Sequence, residues 1–394
     1  MHHPRRSSLV DLFADAALDA PYPLYRQLRD SGPAVWLRRH DVWFLGRWDV
    51  VRRALSIWQA CPPARGIGSH PACGGPPRHA GVRKLLAGWL GPRQWQDVQA
   101  RITQRANMLA DRIAERQDFD AVADVAHELS VGVIIELVGW PQEVRGSLLH
   151  MAAGNFNPCD PDTAGLCDAL PRLEAMMALV TRMDDPKLLK PGSLGATLAA
   201  AVHQGEIPRD AAIGLLAGYV MAAFDTAISA ISHGLLLFAR HPAQWQRLRD
   251  EPGLVGAAFN EAVRMETTVQ GFSRLATRDA DLGEGVVIPA GARVVVSYGS
   301  ANHDERHFKD PDRFDIERRP LDPLGFSFGV HGCAGQHLAR LQGQAVFAAL
   351  ARRIAGFELT GEPQRALNPL SRGHAHIPLR ATPLALSRPG GPRP

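Results

Sequence analysis

The sequence has little of what marks secreted, membrane-spanning or multidomain proteins. Its 394 residues include five cysteines, an odd number without a Cys-x-x-Cys pair, which argues against a disulfide framework and favours a reducing compartment. No apolar segment follows the basic N-terminus, and no run approaches the roughly 20 apolar residues that a membrane span needs. No Ser/Gly-rich or charged linker divides the chain. We therefore expect one cytoplasmic domain over residues 1–394, with no membrane anchor and a flexible Pro/Gly/Arg-rich tail at 387–394.

An excess of one charge is also missing. The 44 basic residues, almost all arginine, stand against 40 acidic ones, and the net charge is +4. So mild an excess does not indicate a nucleic-acid partner. A hydrophobic content of 45% with 21% charged residues is typical of a soluble globular protein.

Helical patterns dominate the chain, and strand patterns are few and short. The apolar spacing predicts helices at 21–30, 77–90, 93–116, 121–137, 207–240 and 254–267, and strands at 35–37, 42–44, 286–288 and 293–296. There is no βαβ alternation and no internal repeat. The predicted fold class is mainly α with a minor β region.

The most informative segment is 326–335, Phe-Ser-Phe-Gly-Val-His-Gly-Cys-Ala-Gly, which leads into an apolar helical pattern. It holds Cys333 in a glycine-flanked loop at the start of a helix, where oriented N–H groups and the helix dipole favour a thiolate. A thiolate there is well suited to bind soft iron, and Gly329 and Gly335 allow close approach to a flat ligand. Taken alone, a cysteine of this kind is more often a small buried hydrophobic residue in a turn.

The pattern Phe-x-x-Gly-x-His-x-Cys-x-Gly resembles the haem-ligand loop of the cytochrome P-450 family. The resemblance extends over nearly the whole chain and implies the triangular, mainly helical P-450 fold with a long central helix over the haem. It implies haem b (iron protoporphyrin IX) as the cofactor and Cys333 as the axial thiolate on the iron. Phe326 and Gly335 belong to the same cofactor-binding loop.

The resemblance also implies a set of residues that hold the two haem propionates: His79, Arg83, Arg274 and His331. His79 and Arg83 stand four apart, so both project from one side of the helix predicted at 77–90. Charge-assisted hydrogen bonds to buried carboxylates are the physical basis of such a site. For any one of these residues, a surface base or a satisfied histidine is the ordinary alternative.

Glu261 and Arg264 lie three residues apart on one face of a predicted helix. The alternative is a solvated surface pair of little energetic value. The apolar neighbours favour burial, and the spacing matches the family's Glu-x-x-Arg motif. The implied role is a Glu261–Arg264–Arg313 network that clamps the loop before Cys333.

Asp225 and Thr226 interrupt the apolar helix at 207–240. A threonine hydroxyl can bond the carbonyl four residues earlier and bend a helix, and local widening there would make a groove for dioxygen. The family pattern is Ala-Gly-x-Asp/Glu-Thr, in which Ala223 here replaces the glycine. The implied role of Asp225 and Thr226 is proton delivery during oxygen activation; a bent helix with a solvated acid is the alternative.

The implied activity is monooxygenation of a small organic substrate with O2. Electrons would come from a 2Fe–2S ferredoxin and an NAD(P)H-dependent ferredoxin reductase, since the sequence shows no flavin or iron–sulfur domain. Several short segments resemble bacterial enzymes that demethylate methoxy-aromatic acids and phenols. By that likeness Phe156, Val269 and Phe272 pack an aromatic ring, and Arg65 lies near a carboxylate-binding loop.

Other assignments stay open at this point. Ala217 and Gly218 replace an Arg-Ser pair of some benzoate-oxidising relatives, so a neutral phenol or aryl ether is as good a candidate as a benzoate. A hydroxylase of terpenes or other secondary metabolites is an alternative. A haem-thiolate sensor would not need Asp225 and Thr226, and a zinc or thiol enzyme would need a second ligand pair near His331 and Cys333.

Overall fold

The computed structural model describes residues 7–57, 59–60, 92–146, 188–319 and 321–385, with a few positions between them (148, 171, 174–175, 177–182 and 185) and without the side chains of 92–97. The helices described from end to end are α1 (Asp15–Asp19), α2 (Pro21–Ser31), α3 (Trp48–Ser56), α4 (Pro92–Arg116), α5 (Glu128–Val138), α6 (Leu194–His203), α7 (Arg209–Arg240), α8 (Pro242–Asp250), α9 (Val255–Met265), α10 (Tyr298–Ala301) and α11 (Gln336–Ala351).

The strands are short and form small sheets. They are β1 (Ser7–Ser8), β2 (Val35–Leu37), β3 (Val42–Leu45), β4 (Asp118–Asp120), β5 (Gly271–Leu275), β6 (Ala280–Asp281), β7 (Val287–Ile288), β8 (Arg293–Ser297), β9 (Ile354–Leu359), β10 (Gln364–Ala366), β11 (Gly373–His376) and β12 (Pro378–Pro383). The largest sheet has the order β1-β2-β3-β8-β5, a second has the order β4-β12-β9, and β6-β7 and β10-β11 are antiparallel pairs.

The mainly helical prediction is confirmed, and most predicted elements are present within a few residues of their expected bounds. The helix predicted at 121–137 divides into a π-helix, Ala121–His127, and α5. The carboxylate of Asp120 starts the π-helical turn by accepting from the amides of Val122 and Ala123, at 2.8 and 2.9 Å. The helix predicted at 77–90 lies outside the described residues.

The longest helix, α7, lies in the middle of the main hydrophobic core. Every residue from Ala227 to Phe238 in its second half is buried, the polar Ser229, Ser232 and His233 included, as expected for a helix surrounded by other elements. By length and composition alone, α7 is also long and apolar enough to cross a membrane, with a mean hydropathy of 1.7. The prediction that no apolar run approaches that length is therefore wrong for α7, although half of the segment in question is buried inside the protein.

The main core joins α7 to the helices on which the Cys333 loop depends. Helix α7 packs against α9 and α11, and α4 packs along α11. A second core lies between α3 and the largest sheet, and includes Trp48 and Val296. The Cys333 loop contacts both cores, because Leu324 at its start belongs to the second core and Phe326 packs against the main one.

Candidate active site

The Cys333 loop is built from two short 3-10 turns, Leu324–Phe326 and Gly329–His331, followed by α11. The backbone amide of Cys333 donates to the carbonyl of Phe326 at 2.8 Å, which closes the loop on itself. The thiol of Cys333 is exposed, three residues ahead of the first helical residue of α11. A sulfur held open at a helix start is suited to serve as an anionic ligand.

Two residues of this loop, Ser327 and Gly329, have positive φ angles that L side chains rarely adopt. Gly329 has φ +72°, and a Cβ there would lie 3.3 Å from the carbonyl oxygen of Leu55. Ser327 adopts φ 59° without being glycine, and its hydroxyl lies 3.1 Å from that of Tyr298. Strained conformations of this kind persist where surrounding contacts hold them, which is typical of functional loops.

Gly335 caps α11 and borders the Cys333 sulfur. A Cβ at this position would lie 3.9 Å from the sulfur, an ordinary van der Waals separation. The described protein atoms therefore do not require glycine here.

Helix α7 carries the acid–alcohol pair in a half-buried stretch ahead of its fully buried half. The Thr226 hydroxyl donates to the carbonyl of Ala222 at 2.7 Å, as the sequence predicts. The predicted widening is absent from this helix, which is α-helical from Arg209 to Arg240. Burial raises the pKa of Asp225 to about 6, so this carboxyl group changes protonation close to neutral pH.

The Glu261–Arg264 pair lies fully inside the protein, with both side chains 0% exposed. The carboxylate accepts two hydrogen bonds from Arg264, at 2.7 and 2.9 Å. Arg264 also donates to the carbonyl of Asn302 at 2.7 Å. A buried ion pair of this quality needs additional donors on the carboxylate.

The additional arginine is Arg318, which corrects the prediction of Arg313. The Arg318 Nε donates to Oε1 of Glu261 at 3.0 Å, and a third donor is the amide of Asp315 at 3.1 Å. The side chain of Arg313 is 66% exposed and pairs with Asp315. Arg313 contributes its carbonyl oxygen, which accepts from Arg318 at 2.7 Å.

Arg274 lies buried on β5, where its guanidinium contacts the carbonyl of Ser273 at 3.1 Å and the hydroxyl of Tyr298 at 3.4 Å. Among the described residues no carboxylate pairs with it. The neighbouring Phe272 is 41% exposed, and its ring centroid lies 5.9 Å from that guanidinium. Val269 is half-buried and forms an isolated β-bridge with Ser371.

Several predicted site residues are not brought together here. His331 is half-buried at the end of the second 3-10 turn, two residues before Cys333. His79 and Arg83, the other expected propionate partners, lie outside the described residues, as do Arg65 and Phe156.

Sequence reasoning missed a contact beneath the Cys333 loop. The guanidinium of Arg340 lies 4.7 Å from the ring centroid of Phe326, and its Nε donates to Asn260 at 3.0 Å. Burial lowers the pKa of Arg340, while the negative charge of Cys333 acts in the opposite sense. Arg340 lies in α11, whereas Cys333 precedes that helix, so no helical spacing rule could have linked the two.

A buried polar cluster at the end of α9 was also missed. It comprises Glu266, Arg365, Arg372, His233 and His374. Its members lie as many as 141 positions apart in the sequence, from His233 to His374. No local spacing rule could have joined them.

Known proteins resemble the chain over most of its length. A family model described as cytochrome P450 matches residues 198–386. Cytochrome p450 CYP199A2 of Rhodopseudomonas palustris is 34% identical over 388 residues, covering 95% of this chain and 93% of that protein. The beta-dihydromenaquinone-9 omega-hydroxylase of Mycobacterium tuberculosis is 28% identical, covering 95% of this chain and 78% of that protein.

The fold likeness is equally extensive. The crystal structure of CalO2 superposes with a TM-score of 0.84 at 24% identity, over 95% of this chain and 99% of that one. The element order, the long helix α7 and the Cys333 loop ahead of α11 are thus parts of one known architecture. The chain belongs to the cytochrome P450 family and is a haem-thiolate monooxygenase.

Proposed function

We propose that the protein binds haem b through the sulfur of Cys333 and oxidises a small aromatic substrate by hydroxylation or O-demethylation. Its electrons come from a 2Fe–2S ferredoxin and an NAD(P)H-dependent reductase, in the cytoplasm. The observation that carries the proposal is the exposed sulfur of Cys333 at the start of α11, in a strained loop closed by the Phe326 carbonyl.

The residues around this sulfur fit a flat, largely apolar cofactor with acidic side groups. Phe328 and Val330 of the same loop are 37% and 41% exposed, so the loop that carries the thiol leaves apolar surface uncovered. Arg274 is a buried cation whose described partners are neutral oxygens. A buried cation of this kind favours a carboxylate, which a haem propionate supplies.

Each residue then has a defined task. Cys333 supplies the thiolate, and Arg274 and His331, together with His79 and Arg83, hold the propionates. When bound, haem supplies the activation of molecular oxygen. The Glu261–Arg264–Arg318 network fixes α9 against the segment that leads to the Cys333 loop, through the carbonyls of Asn302 and Arg313.

Asp225 and Thr226 serve proton transfer. With its pKa raised to about 6 by burial, the Asp225 carboxyl both takes up and releases protons near neutral pH. Thr226 lies next to it with its hydroxyl oriented by the Ala222 carbonyl. A non-catalytic haem sensor would not need a carboxyl group with this pKa next to a hydroxyl group in the sequence. The pair therefore favours an enzyme over a sensor.

The substrate assignment rests on the segment from Val269 to Phe272, which leaves an aromatic ring partly uncovered, together with the expected contributions of Arg65 and Phe156. Phe272 provides a surface on which an aromatic ring can stack. Relatives of the chain bear names as different as steroid C26-monooxygenase and beta-dihydromenaquinone-9 omega-hydroxylase, so membership of the family leaves the substrate open.

The first experiment is the spectrum of the reduced, CO-treated protein. Wild type is expected to give the strongly red-shifted Soret band of thiolate-ligated haem. Cys333→Ser is expected to lose that band, whereas the matched change Cys167→Ser keeps it. A red-shifted band in Cys333→Ser would refute the ligand assignment.

The second experiment is a spin-state titration with methoxybenzoates, phenols, terpenes and fatty acids, followed by turnover with ferredoxin and reductase. Methoxybenzoates or phenols are expected to give the largest shifts. A spin-state shift with bulky terpenes alone overturns the aromatic assignment. Tight ligand binding without product formation, when ferredoxin and reductase are both present, indicates a sensor.

A further inference from the structure

A buried charged cluster, separate from the groups used above, lies where α9 ends. The carboxylate of Glu266 accepts from Arg372 Nε at 2.9 Å and lies 3.4 Å from Arg365 Nη2. Glu266 and Arg372 are buried, and Arg365 is nearly so. The carboxylate thus holds two cations that come from β10 and from the loop between β10 and β11.

The same cluster reaches α7. His233 is fully buried, and its Nδ1 lies 3.2 Å from the carbonyl oxygen of Glu266. The His233 ring lies 5.2 Å from that of His374 on β11, edge to face. Helix α7 therefore meets the β10–β11 hairpin through the Glu266 site, seven residues beyond Thr226.

The charges in the cluster are fixed around neutral pH. Burial alone would raise the pKa of Glu266, but Arg372 and Arg365 outweigh it and hold that pKa well below its usual range. Burial lowers the pKa of His233 to about 4 and that of His374 to about 2, so both imidazoles are neutral. Glu266 is the cluster's anion, and it faces two guanidinium groups.

Two backbone segments meet over this cluster. The amide of Arg372 donates to the carbonyl of Thr268 at 2.6 Å, and the amide of Gln270 donates to that of Leu370 at 3.0 Å. Val269 and Ser371 form the bridge between them. The segment 267–272, to which substrate contacts are assigned, is therefore tied to the loop 367–372.

We propose that Glu266 is a positioning residue for substrate selectivity: through Arg372 it holds the loop 367–372 against the segment 267–272, and so limits the size of ligand that fits beside Val269 and Phe272. This inference rests on the proposed function, which assigns Val269 and Phe272 to the substrate cavity. Arg372 is anchored on its other side by the carbonyls of Leu18 and Asp19, at 3.1 and 2.7 Å. Loss of the carboxylate would leave the Arg372 guanidinium bonded only to the N-terminal segment, and the loop 367–372 would be held to the segment 267–272 by backbone hydrogen bonds alone.

The test compares Glu266→Gln with Glu266→Asp and with the control Glu317→Gln. Glu317 also pairs with an arginine, Arg247, at 3.0 Å, but at an exposed position. The probes are 4-phenylimidazole, which is small, and clotrimazole, which is bulky; both bind haem iron through nitrogen and shift the Soret band. Because both probes bind the iron through nitrogen, the ratio of their dissociation constants reports the size of ligand that the cavity admits.

In Glu266→Gln the ratio is expected to shift about tenfold in favour of clotrimazole, because a charged hydrogen bond is lost. The CO band is expected to stay red-shifted. Glu266→Asp is expected to restore the ratio in part, and Glu317→Gln to leave it unchanged. An unchanged ratio in a haem-replete Glu266→Gln protein overturns the proposal.

Hydrogen exchange provides a readout that does not depend on haem chemistry. Glu266→Gln is expected to speed exchange in peptides that cover 267–272 and 367–372, and to leave β9 and β12 unchanged. The proposal is also overturned if exchange becomes faster throughout the protein, or if it does not become faster in those two segments. If Glu266→Gln does not fold, Arg372→Gln, which removes the cation that links Glu266 to the loop 367–372, is judged by the same criteria.

A failure of the proposed haem binding is recognised separately, because wild type itself would then show no azole-induced Soret shift. A failure of the aromatic-substrate assignment is recognised in the spin-state titration of wild type. The exchange measurement still decides whether Glu266 holds the two segments together.

Discussion

The guanidinium of Arg318 lies 3.0 Å from the carboxylate of Glu261, which also accepts the Arg264 hydrogen bonds. All three side chains are buried or nearly so. Arg318 also donates to the carbonyl oxygens of Lys309, Asp310 and Arg313. It therefore fastens α9 to the segment 309–318.

Replacing Arg318 with alanine is expected to lower the free energy of unfolding by about 3 kcal/mol, because a buried carboxylate loses one of its two cationic partners. Thermal unfolding and the haem content of the purified protein measure the effect.

The control is Arg313→Ala, whose side chain is exposed and bonds the partly exposed Asp315. It is expected to change stability by about 0.5 kcal/mol or less. Equal losses of stability in Arg318→Ala and Arg313→Ala would show that the Arg313 side chain belongs to the Glu261 network.

Replacing Thr226 with alanine is expected to reduce the product formed per NAD(P)H about tenfold and to raise peroxide release, because the hydroxyl next to Asp225 is lost. Thr226→Ser keeps a hydroxyl and is expected to retain most of the coupling. Wild-type coupling in Thr226→Ala would remove Thr226 from proton transfer.

Replacing Asp225 with asparagine is expected to stabilise the protein at high pH only. Because burial raises the Asp225 pKa from 3.8 to about 6, the fold favours the neutral carboxyl. That contribution is complete below the unfolded pKa and is lost as pH rises through about 6. Asparagine stays neutral, so Asp225→Asn is expected to raise the free energy of unfolding by about 1–2 kcal/mol at about pH 8, and by little at about pH 4.

The pH dependence of turnover provides a second measurement on the same variant. Wild type is expected to show an inflection near the Asp225 pKa of about 6, and Asp225→Asn to lack it. A stability gain that is equal at both pH values would contradict the raised pKa.

Replacing Gly329 with alanine is expected to destabilise the Cys333 loop for two reasons. Its φ of +72° disfavours a side chain, and the new Cβ would approach the Leu55 carbonyl to 3.3 Å. A loss of about 2 kcal/mol, with broader CO spectra, is expected.

Gly192→Ala is a matched control for Gly329→Ala. Gly192 has φ +76°, and no described atom lies within 4 Å of the position that a Cβ would occupy there. This variant is expected to show the conformational cost alone, about 1 kcal/mol. Equal losses at both glycines would show that the Leu55 contact has no energetic weight.

The sequence predicted those parts of the protein whose signal is local. The apolar pattern predicted a helix at 207–240, which the structure has at Arg209–Arg240. The three-residue spacing of Glu261 and Arg264 indicated their pairing, which the structure has at 2.7 Å. Arg318 and Arg313 lie five positions apart in a segment without helical periodicity. No spacing rule could decide which of them turns inward.

Long-range polar contacts were beyond sequence reasoning for the same reason. Glu266 meets Arg372, 106 positions later, because β5 and the β10–β11 hairpin converge beyond α9. The widening expected at Thr226 is also absent, since the threonine hydroxyl joins the Ala222 carbonyl within a regular helix. Chain convergence of this kind is a property of the packed core, not of any short segment.

The bond from Thr226 to Ala222 has one more consequence. A hydroxyl has a single hydrogen, and that of Thr226 is already committed to a carbonyl of its own helix. Toward the cavity the oxygen can then present only lone pairs, so a water or a hydroxylic ligand in front of it must act as the donor. In this arrangement Thr226 would contribute to proton transfer by orienting an incoming O–H group, and Asp225 would be the group that exchanges the proton.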